Sequence, residues 1–242
     1  MRQLVVGDIH GAYKCLMDVL EKAGPADRVI FLGDYVDGLP QTYEVIEHIM
    51  GMKNAVCIRG NHDQWAIDWM KMCRSERNYS LEPQPIHFSQ GGESTYRSYM
   101  KLRGKEKVML EHLYFLEKHT SPHFLDEEHR LFVHGGITTD GIETPDHIKM
   151  WDRSLIQTAC RVVLRDSETE LFPPFSNFEE VYVGHTATTL LTGKEKHENW
   201  LNLWEMDTNC GWGGPLCAMD VDTKEAFYSA PAREHYPGYG GR

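Results

Sequence analysis

The first third of the chain alternates short apolar runs with amphipathic stretches. The runs at 3–9, 28–32 and 54–58 are rich in Val, Ile and Leu and predict β-strands. The stretches at 12–23 and 41–52 carry apolar residues at helical spacing and predict amphipathic helices. Because strands that alternate with helices form βαβ units, this pattern predicts an α/β fold with a mostly parallel sheet.

Each of these three strands runs into a polar turn that contains glycine. The turns have the sequences GDIHG at 7–11, GDYVDG at 33–38 and GNHD at 60–63. Ligands of open α/β sheets bind at the carboxyl ends of the strands. We therefore expect the three turns to converge on one site.

The middle of the chain mixes helical patterns with a polar segment. Helices are predicted at 64–73 and 106–118, and the polar segment at 74–105 between them contains Pro and Gly residues. We interpret 74–105 as an inserted cap or loop that lies over the site or beside it. A hairpin at 123–134 follows, and its second strand ends at His134.

The last third predicts a second set of strands in a mixed or antiparallel arrangement. These strands are expected at 180–184, 199–206, 216–222 and 225–229. We expect residues 1–232 to form a single domain and residues 233–242 to form a loose tail.

Composition narrows the classes of function. The chain has 242 residues, of which 41% are hydrophobic, and its formal net charge of −11 argues against a nucleic-acid binder, because such proteins present a basic face. It has no apolar run of membrane-spanning length, no secretory signal pattern and only scattered cysteines. We therefore expect a cytoplasmic protein with reduced thiols and no membrane partner; its oligomeric state is not indicated.

Potential metal ligands stand at the ends of the predicted strands. Asp8 and His10 share one turn and supply an oxygen and a nitrogen, which suits Mn, Fe or Zn. Asp34 follows the second strand, where one carboxylate can bridge two cations. Singly, each such residue is more often ordinary turn chemistry, but five polar turns of this kind together indicate a metal site. The candidate ligands are Asp8, His10, Asp34, Asn61, His134 and His185.

Five sequence blocks occur in the order typical of a known family. They are GDIHG at 7–11, GDYVDG at 33–38, RGNHD at 59–63, HGG at 134–136 and GHT at 184–186. Together they resemble the signature of the calcineurin-like metallophosphoesterases, and most closely the phosphoprotein phosphatase branch with its bacterial and phage-type members. The resemblance implies a four-layer α-β-β-α sandwich of two mixed sheets flanked by helices.

The resemblance also implies a role for each matching residue. Asp8 and His10 would hold a first divalent metal ion, and Asp34 would bridge to a second. The other protein ligands of the second ion would be Asn61, His134 and His185. His62 would protonate the leaving oxygen, and Asp37 would orient its imidazole. Mn is the expected metal, although the same ligands accept Fe, Zn or Co.

Two departures from the family pattern bear on the substrate. Gly38-Leu39 stands where the family has Arg-Gly after the second aspartate, so one phosphate-binding arginine is missing. Arg59, Arg153 and Asn61 are the candidates for binding the substrate phosphate in its place. The third block ends in Asp63, as in dinucleoside polyphosphate hydrolases, where protein phosphatases have glutamate.

These observations leave three hypotheses. The leading one is hydrolysis of phosphate monoesters of the protein serine/threonine phosphatase type, by metal-activated water without a phosphoenzyme. The second is hydrolysis of dinucleoside tetraphosphates, which shares the metal site. The third, from another class, is a metal-binding scaffold without turnover. The expected partners are a phosphorylated protein or a small phosphoester.

Overall fold

The computed structural model of the protein contains two mixed β-sheets. It describes residues 1–165 and 177–241. The strands of this part of the chain are β1 (Gln3–Val6), β2 (Arg28–Phe31), β3 (Ala55–Ile58), β4 (Thr120–Ser121), β5 (His123–Leu125), β6 (Leu131–Val133), β7 (Val181–Val183), β8 (Glu198–Trp200), β9 (Leu203–Glu205), β10 (Cys217–Asp220) and β11 (Ala226–Tyr228).

The first sheet has the order β11-β10-β1-β2-β3-β4, and the second has the order β5-β6-β7-β9-β8. In the first sheet β1 to β4 are parallel, with Val5 opposite Ile30 and Ile30 opposite Val56, whereas β10 is antiparallel to β1. In the second sheet β6, β7 and β9 are parallel, and both edge strands are antiparallel. The carboxyl ends of the parallel strands therefore lie at one edge of each sheet.

Helices cover the outer faces of the sheets. They are α1 (Tyr13–Ala23), α2 (Thr42–Gly51), α3 (Asn61–Ser75), α4 (Pro85–His87), α5 (Glu93–Met100), α6 (Lys105–Lys118), α7 (Asp146–Trp151) and α8 (Ser154–Arg165), with one-turn helices at Thr188–Leu191 and Ala232–His235. No helix in the described ranges is both long and apolar enough to cross a membrane.

Alternation along the strands divides the core into layers. In β1, Leu4 and Val6 pack toward the helices, while Val5 packs between the sheets against residues such as Phe132 and Tyr182. On the outer face of the second sheet, α8 buries Leu155, Ile156 and Ala159. Both faces of each sheet are covered, which explains why the inner strands are apolar throughout. The predicted α/β fold with four layers is confirmed.

One predicted strand is wrong. The segment 199–206 forms two antiparallel strands, β8 and β9, in which Trp200 pairs with Leu203. The turn between them passes through Leu201, whose φ is 60°. This turn contains neither glycine nor proline, so the apolar pattern continues across it and resembles a single strand.

The polar segment at 74–105 and the chain end both pack on the domain. The segment contains α4 and α5, and α5 lies against α2. Near the chain end, Tyr236 is buried, and its hydroxyl accepts a hydrogen bond from the backbone N–H of Lys14 at 2.8 Å and donates to Gln41 Oε1 at 2.7 Å. The predicted loose tail thus begins with ordered structure.

Candidate metal centre

The turns after β1, β2 and β3 meet at one edge of the first sheet, as expected. The backbone N–H of His10 donates to the carbonyl of Asp34 at 2.8 Å, which joins the first two turns. His10, Asp34, Asp37 and His185 all have positive φ, between 50° and 69°. Such backbone is costly for residues other than glycine, and its clustering is typical of functional sites.

The close approach of these turns requires glycine at two positions. A Cβ at Gly60 would lie 2.0 Å from Asp34 Oδ1, and a Cβ at Gly184 would lie 2.1 Å from Asp8 Oδ1. Glycine therefore allows the neighbouring turns to approach the two carboxylates directly. This accounts for the glycine in front of Asn61 and of His185.

Two groups of potential metal ligands share one carboxylate. Asp8, His10 and Asp34 form one group, and Asp34, His134 and His185 form the other; within each group the ligand atoms lie within 4.8 Å of one another. Asp34 Oδ2 is 3.6 Å from His10 Nε2 and 3.4 Å from His134 Nε2. A carboxylate in this position can bridge two cations.

The remaining predicted ligand, Asn61, lies beside the second group. It is the first residue of α3, and its Oδ1 is 3.0 Å from His134 Nε2. The six predicted ligands are therefore brought together, and each is at most 3% exposed. Their oxygen and nitrogen atoms suit a divalent transition metal.

Hydrogen bonds orient two of the histidines toward this centre. Nδ1 of His10 is 3.0 Å from the carbonyl of Val36, and Nδ1 of His134 is 2.8 Å from the carbonyl of Leu32. A carbonyl only accepts hydrogen bonds, so each Nδ1 carries a proton and each Nε2 faces the carboxylates. Outer contacts of this kind are typical of histidines that bind metals.

The charges of the cluster also fit a cation. Asp8 Oδ1 and Asp34 Oδ2 are buried, and neither accepts a hydrogen bond from any residue that the structure describes. Burial and the carboxylate of Asp207 raise the pKa of Asp8 well above its usual value. Burial alone would lower the pKa of His134, but the carboxylate of Asp34 raises it to about 9. Bound cations would add positive charge beside both carboxylates.

Asp63 anchors the bridging turn. Its carboxylate accepts hydrogen bonds from the backbone N–H groups of Asp34, Tyr35 and Gly60 at 2.8 to 2.9 Å. In the bond to Gly60, the side chain of the third residue of α3 accepts the N–H of the residue before the helix, which explains why α3 begins at Asn61, three residues before the predicted start. Burial and the nearby charge of Asp34 raise the pKa of Asp63 to about 7.

Asp37 and His62 form the predicted pair next to the metal ligands. His62 Nδ1 is 2.7 Å from Asp37 Oδ2, and both side chains are buried. Burial alone would raise the pKa of Asp37, but hydrogen bonds from His62 and His87 lower it to about 2. An ionised carboxylate only accepts hydrogen bonds, so Nδ1 of His62 donates, and Nε2 is the ring nitrogen that can gain or lose a proton.

Two residues of the 74–105 segment complete the surroundings of Asp37. His87 Nε2 lies 3.1 Å from Asp37 Oδ1, and Thr95 Oγ1 donates to the same oxygen at 2.8 Å. Sequence reasoning missed both residues. They lie 50 and 58 residues from Asp37 along the chain, and their only sequence signal is a position in the segment expected near the site.

A second layer of carboxylates lies behind Asp8. Glu205, at the end of β9, is fully buried, and burial raises its pKa well above its usual value. Its Oε1 accepts the backbone N–H of Asp207 at 2.9 Å. Neither residue was among the site residues predicted from the sequence. A carboxylate at the end of a predicted strand was the available signal for Glu205.

Arg153 lies beside the metal ligands. Its Nη1 donates to the backbone carbonyl of His185 and to Oγ1 of Thr186, both at 3.0 Å. Arg153 and His185 line a cavity of about 490 Å³, whose wall also contains the exposed side chains of Leu190 and Trp212.

Arg59 points elsewhere. Its Nε donates to Oγ1 of Thr120 at 2.9 Å, and its Nη2 donates to the carbonyls of Leu116 and Glu117 at 3.0 and 3.1 Å. The guanidinium therefore ties the end of β3 to the C-terminal end of α6, where carbonyls lack helical partners. Of the two predicted arginines, the structure brings Arg153 to the metal ligands and holds Arg59 against α6.

Comparisons with known proteins agree with this geometry. The chain is 24% identical to the bis(5'-nucleosyl)-tetraphosphatase PrpE [asymmetrical] of Anoxybacillus flavithermus, over 96% of this chain and 95% of the relative. It is 27% identical to the protein of the same name from Halalkalibacterium halodurans, over 57% of this chain and 58% of the relative's length.

A solved structure described as a putative diadenosine tetraphosphatase has the same fold. It superposes with a TM-score of 0.56 and 18% identity, over 95% of this chain and 93% of its own. The model of the calcineurin-like phosphoesterase family matches residues 1–206, which includes every predicted metal ligand. The chain therefore belongs to the calcineurin-like phosphoesterase family and is a phosphoester hydrolase.

Proposed function

We propose that the chain hydrolyses phosphate monoesters of alcohols, of the protein serine/threonine phosphatase type, at a centre of two divalent metal ions. The observation that carries this proposal is the position of Asp34, whose carboxylate belongs to both groups of potential ligands. Asp8 and His10 would hold the first ion. The other ligands of the second ion would be Asn61, His134 and His185. When bound, such a pair supplies an activated water and neutralises phosphate oxygens.

His62 acts as the general acid. Its Nδ1–H is held by Asp37 at 2.7 Å, so its Nε2 can carry and deliver the second proton. The Asp37 carboxylate fixes the ring orientation and stabilises the protonated imidazole, in the way that a buried aspartate supports other catalytic histidines. The leaving oxygen departs as an alcohol once it receives this proton.

Arg153 and Asn61 bind the substrate phosphate. Nη1 of Arg153 donates to the backbone carbonyl of His185 and to Oγ1 of Thr186, and the planar fork of a guanidinium matches the geometry of a phosphate. The backbone carbonyl of His185 thereby holds Arg153 next to a ligand of the second metal ion. We do not include Arg59 in this phosphate site, because its guanidinium is bonded to the carbonyls at the end of α6.

The presence of a general acid, His62, indicates that the leaving group is an alcohol. The hydroxyl group of serine or threonine is a very weak acid, so its alkoxide leaves readily only when it is protonated. A nucleotide released from a polyphosphate is a far better leaving group and gains less from His62. The buried Asp37–His62 pair therefore favours a phosphomonoester over a phosphoanhydride.

A dinucleoside tetraphosphate is the second candidate substrate. The Anoxybacillus flavithermus relative that matches along nearly the whole chain is a bis(5'-nucleosyl)-tetraphosphatase. The cavity beside Arg153 also includes the indole of Trp212, which is 50% exposed and could contact a nucleobase.

A side-by-side assay distinguishes the two substrate classes. Metal-stripped protein is reloaded with Mn and given a phosphoserine peptide and diadenosine tetraphosphate. Faster phosphate release from the peptide supports the proposal, and preferential cleavage of the dinucleotide supports the second candidate. No turnover of either, with two metal ions bound, would instead indicate a scaffold. Mn as the native metal and a cytoplasmic location remain predictions of the sequence.

The role of His62 has its own test. We expect His62→Asn to lower turnover of the peptide by roughly 10²–10⁴-fold, because it removes the general acid, and to leave the metal content unchanged. His119→Asn is the matched control, since His119 is exposed and packs on Phe115 at the end of α6. Full activity of His62→Asn would remove His62 from the mechanism.

A further inference from the structure

His87 contacts the Asp37–His62 pair from the opposite side. Its Nε2 lies 3.1 Å from Oδ1 and 3.0 Å from Oδ2 of Asp37, and the residue is only 2% exposed. Because the carboxylate of Asp37 is ionised, His87 must donate from Nε2. Asp37 thus accepts hydrogen bonds from two imidazoles, of which the proposed mechanism uses only that of His62.

The surroundings of His87 fix its ring in this position. A Cβ at Gly92 would lie 2.5 Å from Cδ2 of His87, so the following turn lies directly against the imidazole. Trp65 packs on another side, with ring centroids 5.7 Å apart. The same Trp65 ring is 5.0 Å from the ring of His62. A ring held this closely has little freedom to move away from Asp37.

The other contacts of Asp37 show what His87 contributes to holding the carboxylate. Thr95 donates to Oδ1 at 2.8 Å and accepts the backbone N–H of Asp37 at 2.9 Å. Oδ2, the oxygen that holds His62, is approached from the 74–105 segment by Nε2 of His87. Without His87, rotation of the carboxylate would shift the oxygen on which the His62 orientation depends.

We propose that His87 is a positioning residue for the hydrolysis, which holds the Asp37 carboxylate so that the His62 imidazole points its Nε2 at the leaving oxygen. The inference rests on the proposed function for the role of His62. It also gives the 74–105 segment a function, because this segment supplies the side chain that positions Asp37 and, through it, the general acid His62.

A matched pair of variants tests the hydrogen bond of His87. His87→Gln keeps an N–H donor, whereas His87→Met has a similar length and no donor. We expect His87→Met to lower kcat for a phosphoserine peptide on the order of 10- to 100-fold, the typical cost of losing an outer contact. His87→Gln should retain most of the activity. Ser89→Ala serves as the control, since exposed Ser89 bonds only the carbonyl of Ile86 within the same turn.

The choice of substrate separates positioning from general damage. Release of p-nitrophenolate needs little protonation, so His87→Met should hydrolyse p-nitrophenyl phosphate nearly as fast as the wild type, with two Mn ions still bound. An equal loss on both substrates, or no loss on the peptide, would overturn the inference. If the wild type itself hydrolyses neither substrate, the proposed function fails instead.

The hydrogen bond can also be observed without turnover. In wild-type protein labelled with ¹⁵N-histidine, the inference requires His87 to carry a proton on Nε2 and His62 to carry one on Nδ1; both signals are assigned from His87→Gln and His62→Asn. His87→Gln should leave the Nδ1–H signal of His62 nearly in place. A His87 ring protonated only on Nδ1 would overturn the inference, whether or not His87→Met folds.

Discussion

Two clusters of buried polar side chains lie side by side in this protein, and they are completed in different ways. Around Asp34 and Asp8, oxygens are buried without a hydrogen-bond donor among the residues that the structure describes. Around Asp37, both carboxylate oxygens accept hydrogen bonds from side chains, namely from His62, His87 and Thr95. The first cluster suits added cations, and the second is complete with protein groups alone.

The pKa values of Asp8 and Asp37 differ in the same sense, although burial of Asp34 is outweighed by the nearby His134 imidazole, which lowers the pKa of Asp34 well below its usual value. Burial and neighbouring carboxylates raise the pKa of Asp8 well above its usual value, whereas hydrogen bonds from two imidazoles lower that of Asp37 to about 2. An uncompensated buried charge is costly, and a hydrogen-bonded one is stable. One cluster therefore gains stability when metal binds, while the other keeps its geometry in either state.

The largest effect is expected from breaking the shared ligand. Asp34→Asn should reduce the bound metal from two ions to one or none, and should lower activity far beyond the roughly 10- to 100-fold cost of an outer contact. Metal analysis and turnover of the phosphoserine peptide measure both effects. Asp68→Asn is the matched control, because Asp68 is exposed on α3 and bonds Gln64.

Thermal unfolding tests the role of Asp34 in metal binding without a measurement of turnover. Mn at about 100 times its dissociation constant should stabilise the wild type by about 2.7 kcal/mol for each bound ion. For a domain of this size each ion corresponds to a rise in Tm on the order of 5–10 °C. Asp34→Asn should lose most of this rise. A variant that keeps two ions and the full rise in Tm would show that Asp34 is not the bridge.

A smaller effect separates the two arginines. Arg153→Ala should lower kcat/KM by roughly 10²–10³-fold, because it removes a donor to the phosphate, without changing the metal content. Arg59→Ala should chiefly lower the free energy of unfolding, since it removes a hydrogen-bond donor from carbonyls at the end of α6. The reverse outcome, with activity lost in Arg59→Ala and kept in Arg153→Ala, would return the phosphate site to Arg59.

The sequence predicted the metal cluster more completely than the surroundings of Asp37. Asp8, Asp34 and Asn61 follow consecutive parallel strands, so strand order alone brings them to one edge of the sheet. His87 and Thr95 reach Asp37 through the packing of the 74–105 segment, which no strand periodicity describes. The direction of a side chain was also not predictable from the sequence. Arg59 directly follows β3, yet its guanidinium donates to carbonyls at the end of α6.

Sequence-based prediction of individual strands and helix boundaries has the same limit. Apolar runs predicted the parallel strands, since burial on both faces makes such strands continuous in hydrophobicity. The hairpin of β8 and β9 was missed because its turn at Leu201 adopts a left-handed backbone without glycine. The early start of α3 depends on Asp63 capping Gly60, a contact that periodicity does not reveal.

The smallest effect concerns the acid stability of the metal-free protein. Asp37 has a pKa of about 2 in the fold, below its usual value of 3.8. The folded state therefore binds this proton less readily than the unfolded state, and the resulting stability is present above pH 3.8 and lost as the pH falls through 2. The full contribution is about 2 kcal/mol, of which about 1 kcal/mol is lost between roughly pH 5 and 3.

Asp37→Asn lacks this contribution, so the difference in unfolding free energy between wild type and variant should narrow by about 1 kcal/mol over that interval. Urea unfolding at both pH values measures it, and a constant difference would show that the hydrogen bonds from His62 and His87 do not hold Asp37 in its ionised form.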